Sequence, residues 1–247
     1  MVKEEKMKGK TAWITGGKRI GKEVALALAG LGANLVITYR SSKKEAEETA
    51  KKARSLGVKT LVIQADVSER SGVNDAVRLV KEKFGRIDIL VLLASVFKPV
   101  KLENVIEKDW DSNFSVHIKG TFWPVQASLP LMKPGSHIVM VSDRTAIGRV
   151  YPGFLPYVVT KSGVAAMTRA LAVEVGSKGI FVNAIAPGPI LKPDDINEKE
   201  WREIRASSIV KYRITDKEAV QEFVDMVIRL CFVRSSGSVY PLDLGHL

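Results

Sequence analysis

Tyr157 and Lys161 stand four residues apart in Pro156-Tyr157-Val158-Val159-Thr160-Lys161-Ser162-Gly163, at the head of a predicted helix. At about 3.6 residues per turn, such a pair shares one helix face, one side chain above the other. An ammonium beside a phenol stabilises the phenolate, so the phenol's pKa is expected to fall toward the range of a working general acid. A second constellation, Thr15-Gly16-Gly17-Lys18-Arg19-Ile20-Gly21, follows a short apolar run near the N-terminus. Glycines at a strand-to-helix turn let backbone N–H groups and the helix dipole hold a pyrophosphate, and Lys18 and Arg19 add positive charge. Three glycines alone are ordinary turn chemistry. Together with the Tyr/Lys pair they predict nicotinamide-dependent redox chemistry.

The second predicted strand ends in Tyr39-Arg40-Ser41-Ser42. An NAD site usually carries an acid at this place, to accept from the ribose 2′-hydroxyl. A guanidinium and two hydroxyls suit a 2′-phosphate instead, so the expected cofactor is NADP(H). Ser41 or Ser42 could equally cap the following helix.

These groups need a frame. Apolar runs at Thr11–Thr15, Leu35–Thr38, Thr60–Ile63, Ile87–Leu93, Ile138–Val141, Phe181–Ile185 and Val239–Leu242 alternate with helical patterns, among them 19–31, 43–56 and 217–232. Strands that are apolar throughout and separated by helices indicate a parallel sheet covered on both faces. The expected fold class is α/β: one doubly wound, Rossmann-type domain over residues 1–247, with a seven-stranded parallel sheet flanked by helices. Residues 1–9 read as a charged N-terminal tail. The irregular stretch 187–215, with a short helical piece around Trp201, reads as a substrate loop, since long interruptions in compact domains are usually functional.

Composition narrows the rest. The net charge of +11 reflects 38 basic against 27 acidic residues. Lys and Glu are interspersed along the helical segments, so a solvated surface or a basic cleft for an anionic ligand is favoured over nucleic-acid binding. No apolar run approaches the ~18–20 residues that span a bilayer, so no membrane partner is expected. The charged start lacks the apolar core of a secretory signal, and the single cysteine, Cys231, allows no intrachain disulfide; a cytoplasmic location is expected. His137 and His246 show no ligand spacing, and no metal is expected. Phe97, Tyr151, Phe154, Trp201 and Tyr212 are candidates for lining a pocket for a small-molecule substrate.

From about Lys10 to the C-terminus the chain resembles the short-chain dehydrogenase/reductase family. The likeness rests on Thr15-Gly16 through Ile20-Gly21, Asp66-Val67, Ala94-Ser95, Tyr157-x-x-x-Lys161, Asn183, Pro187-Gly188-Pro189-Ile190 and Asp243. It implies that Tyr157 donates a proton to the substrate, and that Lys161 binds the nicotinamide ribose and tunes Tyr157. It also implies that Pro187, Gly188 and Ile190 cradle the nicotinamide, and that Asp66 and Val67 contact adenine. Several details resemble the pteridine-reductase branch: Asp143 where most members keep a serine, and Ala94-Ser95-Val96-Phe97-Lys98-Pro99, in which Phe97 would stack a flat substrate. The resemblance to 3-oxoacyl-carrier-protein reductases is the alternative. A homotetramer is implied by the resemblance alone.

The departures are specific. The glycine turn is one residue shorter than usual. Leu92-Leu93 replace two amides, His117 replaces an asparagine of a proton relay, and Asp143 precedes Tyr157 by fourteen residues, one more than usual. An ionised Asp143 beside Tyr157 would raise the phenol's pKa and so favour reduction over alcohol oxidation. The replaced groups also keep open a non-catalytic NADP(H)-binding protein.

Overall fold

The computed structural model describes residues 7–193, 196–210 and 214–245. Seven parallel strands form one sheet in the order β3-β2-β1-β4-β5-β6-β7: β1 Thr11–Thr15, β2 Asn34–Tyr39, β3 Thr60–Gln64, β4 Ile89–Leu92, β5 His137–Val141, β6 Phe181–Pro187 and β7 Val239–Leu242. Helices α1 (Ile20–Gly30), α2 (Lys43–Ser55), α3 (Arg70–Phe84), α4 (Glu107–Asn113), α5 (Gly120–Ser128), α6 (Leu155–Gly176), α7 (Glu198–Ala206) and α8 (Asp216–Leu230) cover both faces. The fold is therefore the doubly wound, Rossmann-type α/β domain that the alternation of apolar runs predicts.

The central strands are apolar throughout because neither face meets water. All five residues of β1 are buried, as are all four of β4. One core lies under α1, α2 and α8 and includes Ile14, Leu28, Leu35 and Phe223; the other lies under α3, α5 and α6 and includes Trp13, Leu90, Ile138 and Val182. Lone Cys231 sits in the first of these, its thiol donating to the Val227 carbonyl at 3.1 Å.

Helix ends follow local chemistry. Thr215 and Glu218 cap α8 reciprocally, and Asn197 and Glu200 do so for α7. Gly85 closes α3 in the left-handed region, φ 67°. Between α4 and α5 lies a π-helical turn, Phe114–Lys119, that carries His117 and was not foreseen. Such turns insert one extra residue per turn and re-aim a side chain.

Boundaries differ from expectation at several ends. Strand β4 is shorter than the apolar run 87–93, since Leu93 already turns toward the glycine loop. The stretch 187–215 contains α7, a nine-residue helix. Within the expected tail, Met7 is fully buried and its N–H donates to the Leu31 carbonyl at 3.1 Å. Residues 1–6, Asp194, Asp195, Tyr212 and His246 lie outside the described residues.

Candidate active site

The strand order reverses at β1. The chain runs outward through β2 and β3, then returns to place β4 on the other side of β1, and the connections leaving β1 and β4 diverge. A crevice must open at the carboxyl ends of these strands, where doubly wound folds bind ligands. It does so here, as a cleft of about 790 Å³. Gly16, Lys18, Arg19, Ile20, Arg40, Ser41, Ser42, Asp66, Val67, Ala94, Ser95, Phe97, Asp143, Tyr157, Lys161, Pro187, Gly188 and Ile190 all line it. Gly21 and His117 are buried beside it instead.

The shortened glycine turn is packed too closely against its neighbours for side chains. Gly16 has φ 75°, and a Cβ there would lie 2.9 Å from the backbone of Leu93 and Ala94. At Gly21 a Cβ would lie 2.1 Å from the Gly16 carbonyl, and at Gly188 it would strike Asp243 at 2.6 Å. Arg19 takes up a left-handed φ of 54°, the strain accepted by a turn lacking one residue. Its guanidinium donates to the Lys192 carbonyl across the cleft. Leu93, which replaces an amide, fills the space beneath Gly21, 3.5 Å from where a Cβ would stand.

At the end of β2, Arg40 lies 3.8 Å from Asp66, and both remain partly solvated. Burial would raise the Asp66 carboxyl, but bonds from the Ser68 hydroxyl and N–H, together with Arg40, outweigh it and leave the pKa lowered. Ser42 occupies the N-cap position of α2 without a side-chain cap bond. A side-chain cap therefore does not account for Ser42, which lines the cleft together with Ser41.

The catalytic candidates converge. The Tyr157 hydroxyl donates to Asp143 Oδ2 at 2.7 Å, while Asp143 Oδ1 accepts from the N–H and hydroxyl of Thr145 at 2.9 and 2.8 Å. The extra residue between Asp143 and Tyr157 is absorbed in the intervening loop, and it is Asp143, not Arg144, that meets the phenol. Lys161 Nζ, 5.7 Å from the centre of the Tyr157 ring, donates to the Val141 carbonyl at 2.9 Å. The Ser142 hydroxyl donates to the backbone carbonyl of Lys161 at 2.8 Å and so fixes the helix against β5.

The expectation of a phenol made acidic by its cationic neighbour is corrected here. Tyr157 is pushed well above its ordinary value, first by burial and then by the charge and hydrogen bond of Asp143. Lys161 is pushed down to about 8 by its own burial, against the pull of Asp143. The carboxylate touches the phenol and the ammonium does not, so the carboxylate dominates.

His117 is 1% exposed. Val96 N–H can only donate, so His117 Nε2 accepts it at 3.2 Å, and Ser95 Oγ lies 2.9 Å from the same atom. The Thr160 hydroxyl donates to the Pro156 or Tyr157 carbonyl, which leaves its oxygen to accept from His117 Nδ1–H at 2.8 Å. One neutral tautomer satisfies every partner. Burial, reinforced by the charge of Lys161, pushes the imidazole down to about 3. The ring ties the β4 exit to Thr160 in the second turn of α6 and does not line the cleft. Thr160 escaped the sequence reading because a threonine inside a helix carries no signal of a cross-element partner.

At the substrate end Phe97 stacks on Phe154, with ring centres 4.7 Å apart, and meets Tyr157 edge-on at 4.9 Å. Tyr151 and Trp201 also line the cleft; the Trp201 indole N–H donates to Asp216. Asn183, by contrast, is structural: it donates to the Ser235 carbonyl and accepts from Ser238 N–H.

Residues 16–240 match a family model described as enoyl-(acyl carrier protein) reductase. The chain is 35% identical over 205 residues to the 3-oxoacyl-[acyl-carrier-protein] reductase FabG of Staphylococcus epidermidis, covering 79% of this chain and 83% of that one. Among solved structures, a short-chain dehydrogenase from Burkholderia cenocepacia J2315 in complex with NADP superposes with a TM-score of 0.87 at 27% identity, covering 98% of this chain and 99% of that one. A blue fluorescent protein from a metagenomic library in complex with NADPH gives 0.88 at 28% identity, with 97% and 98% covered.

Proposed function

The chain belongs to the short-chain dehydrogenase/reductase family and is an oxidoreductase; from that premise we propose that it uses NADPH to reduce a C=O or C=N group of a small substrate. The observation that carries this reading is the placement of Tyr157, hydrogen-bonded to Asp143 and beside Lys161, in the cleft that the glycine turn opens.

The residues fit the cofactor. Gly16, Gly17 and Gly21 let the turn pack closely on the β4 exit, on Ile37 of β2 and on itself, which sets the N-terminus of α1 at the cleft, where it would hold a pyrophosphate. Arg40, Ser41, Ser42 and Lys18 would hold a 2′-phosphate, Asp66 and Val67 the adenine, and Lys161, Pro187, Gly188 and Ile190 the nicotinamide riboside. When bound, the cofactor supplies the hydride. Tyr157 supplies the proton: its O–H turns from Asp143 to the substrate heteroatom, and Asp143 keeps the phenol protonated until then. Lys161 offsets the negative charge left on the phenol. A phenol held this firmly protonated is a poor base for alcohol oxidation, so the site favours reduction. His117 acts as a positioning residue for the N-terminal part of α6 through Thr160, not as a relay.

A 3-oxoacyl thioester is the substrate class favoured by the carrier-protein reductase relative. A flat C=N heterocycle of the pteridine kind is the second reading. It is favoured by Asp143 at the phenol and by Phe97 standing edge-on to Tyr157. Purified protein is to be assayed for NADPH oxidation with acetoacetyl thioester and with dihydrobiopterin. Turnover of the thioester alone selects the first and of the pterin alone the second; turnover of neither, with no thermal stabilisation by NADPH, rejects the reading altogether. Ile106, Trp110, Phe114 and Val159 are exposed on α4, the π-helical turn and α6, and a second copy of the chain would cover them, in keeping with a homotetramer. Light scattering on the purified protein tests that.

Among the described residues no helix is long and apolar enough to cross a membrane, and no group of three or more His, Cys, Asp or Glu could hold a metal ion.

A further inference from the structure

The surroundings of Asp143 divide its two carboxylate oxygens. Oδ2 accepts from the Tyr157 hydroxyl at 2.7 Å, while Oδ1 accepts from both the N–H and the hydroxyl of Thr145, at 2.9 and 2.8 Å. The N–H bond follows from local backbone chemistry. Asp143 is the N-cap of the single turn Arg144–Ala146, and a side-chain oxygen there takes the N–H two residues on. Any residue except proline at position 145 would supply that donor. The hydroxyl bond is different, because the cap is complete without it. It is a second donor on the same oxygen, and it needs a hydroxyl-bearing side chain at this position. Its consequence is orientational. The terminal torsion of an aspartate is broad and roughly two-fold, so one bond to Oδ1 leaves the carboxylate plane free to tilt. Donors from two atoms fix that plane, and with Oδ1 held, Oδ2 stands toward the phenol. Thr145 is half-buried and lines the cleft together with Asp143 and Tyr157.

We propose that Thr145 is a positioning residue for the proton-donating unit: its hydroxyl occupies Asp143 Oδ1, keeps Oδ2 on the Tyr157 hydroxyl, and so acts on reduction through Asp143. The inference rests on the reductase reading above and deepens it, adding a residue that no motif in the sequence singles out.

Thr145→Val keeps the shape of the side chain and the N–H cap while removing the hydroxyl; Thr145→Ser keeps the hydroxyl and loses the methyl group. With whichever of acetoacetyl-coenzyme A and dihydrobiopterin the protein reduces, Thr145→Val should lower kcat about three- to tenfold and leave KM for NADPH within about twofold. Thr145→Ser should recover most of that loss. Added to Asp143→Ala, Thr145→Val should cost nothing further, because the carboxylate it acts through is gone. A merely structural role would give additive losses instead. A second measurement needs no turnover. In protein carrying carbon-13 at tyrosine Cζ, the Tyr157 resonance, assigned by its loss in Tyr157→Phe, reports what the phenol donates to. It should move in Thr145→Val toward its position in Asp143→Ala, and stay near the parent position in Thr145→Ser. An unmoved resonance in Thr145→Val, or additive losses of kcat in the double variant, would overturn the proposal. A resonance that moves in protein that reduces neither compound would keep Thr145 at the phenol and reject the reductase.

Discussion

The Tyr157 hydroxyl and the Asp143 carboxylate share a hydrogen bond of 2.7 Å, which adds to burial in holding the phenol well above its ordinary pKa. Lys161 moves the other way, its ammonium pushed down to about 8 by burial. The rate of reduction should therefore stay level at neutral pH and fall about tenfold per unit once Lys161 discharges above about pH 8. Asp143 raises both groups, so Asp143→Asn lowers both and should shift the alkaline limb toward neutrality. A kcat/KM profile measured from about pH 6 to about pH 10 checks this; an unmoved limb in the variant would remove Asp143 from the proton-donating unit.

His117 predicts a silence. With its imidazole held down at about 3, no ionisation of this ring should show in the activity profile between about pH 5 and 8. His117→Leu leaves Val96 N–H without its acceptor and should cost about 1–3 kcal/mol in stability by urea unfolding. A neutral-pH inflection that disappears in this variant would restore the histidine to the proton relay.

Cofactor selectivity should reside at Arg40. Arg40→Glu sets a carboxylate beside Asp66 and opposite the expected 2′-phosphate, and should weaken NADPH by about 1.5–3 kcal/mol while sparing NADH. Paired thermal-shift titrations measure it, with Gly21→Ala as the control that should abolish binding of both, because its methyl group meets the Gly16 carbonyl. Equal losses for both cofactors at Arg40 would place the 2′-phosphate elsewhere.

Acid sensitivity should reside partly at His137. Its ring stacks on Phe181 at 5.0 Å, its Nδ1 has no partner among the described residues, and burial pushes it down to about 4. Because the ordinary value is 6.5, the unfolded chain binds the proton more readily. The stability contribution is complete above about pH 6.5 and is lost as pH falls toward 4. His137→Phe keeps the stack and should equal or exceed the parent in stability at pH 7. Urea unfolding at about pH 5 should then show a smaller loss than in the parent, with His117 supplying part of the remaining slope. An undiminished loss would assign the sensitivity to other groups.

Much of the sheet was legible because both its faces are covered, so that each strand reads as an unbroken apolar run between helices. The glycine turn and Tyr157/Lys161 were legible because their spacing is set by contacts within one turn. What escaped is non-local. The phenol's pKa is raised by burial and then by Asp143, and the loop between β5 and α6 decides that the carboxylate meets the hydroxyl. His117 was found, but its partners Val96 and Thr160 come from other elements, and the π-helical turn that aims the ring has no periodicity of its own.

Cys231 completes the first core, with a thiol pushed up to about 12 by burial. At neutral pH it carries almost no thiolate and has no open path to a reagent, so the folded chain should withstand air oxidation and alkylation. The first molecules to react with a maleimide dye would be those that have opened, and the labelling rate would act as a clock for rare unfolding in unmodified protein.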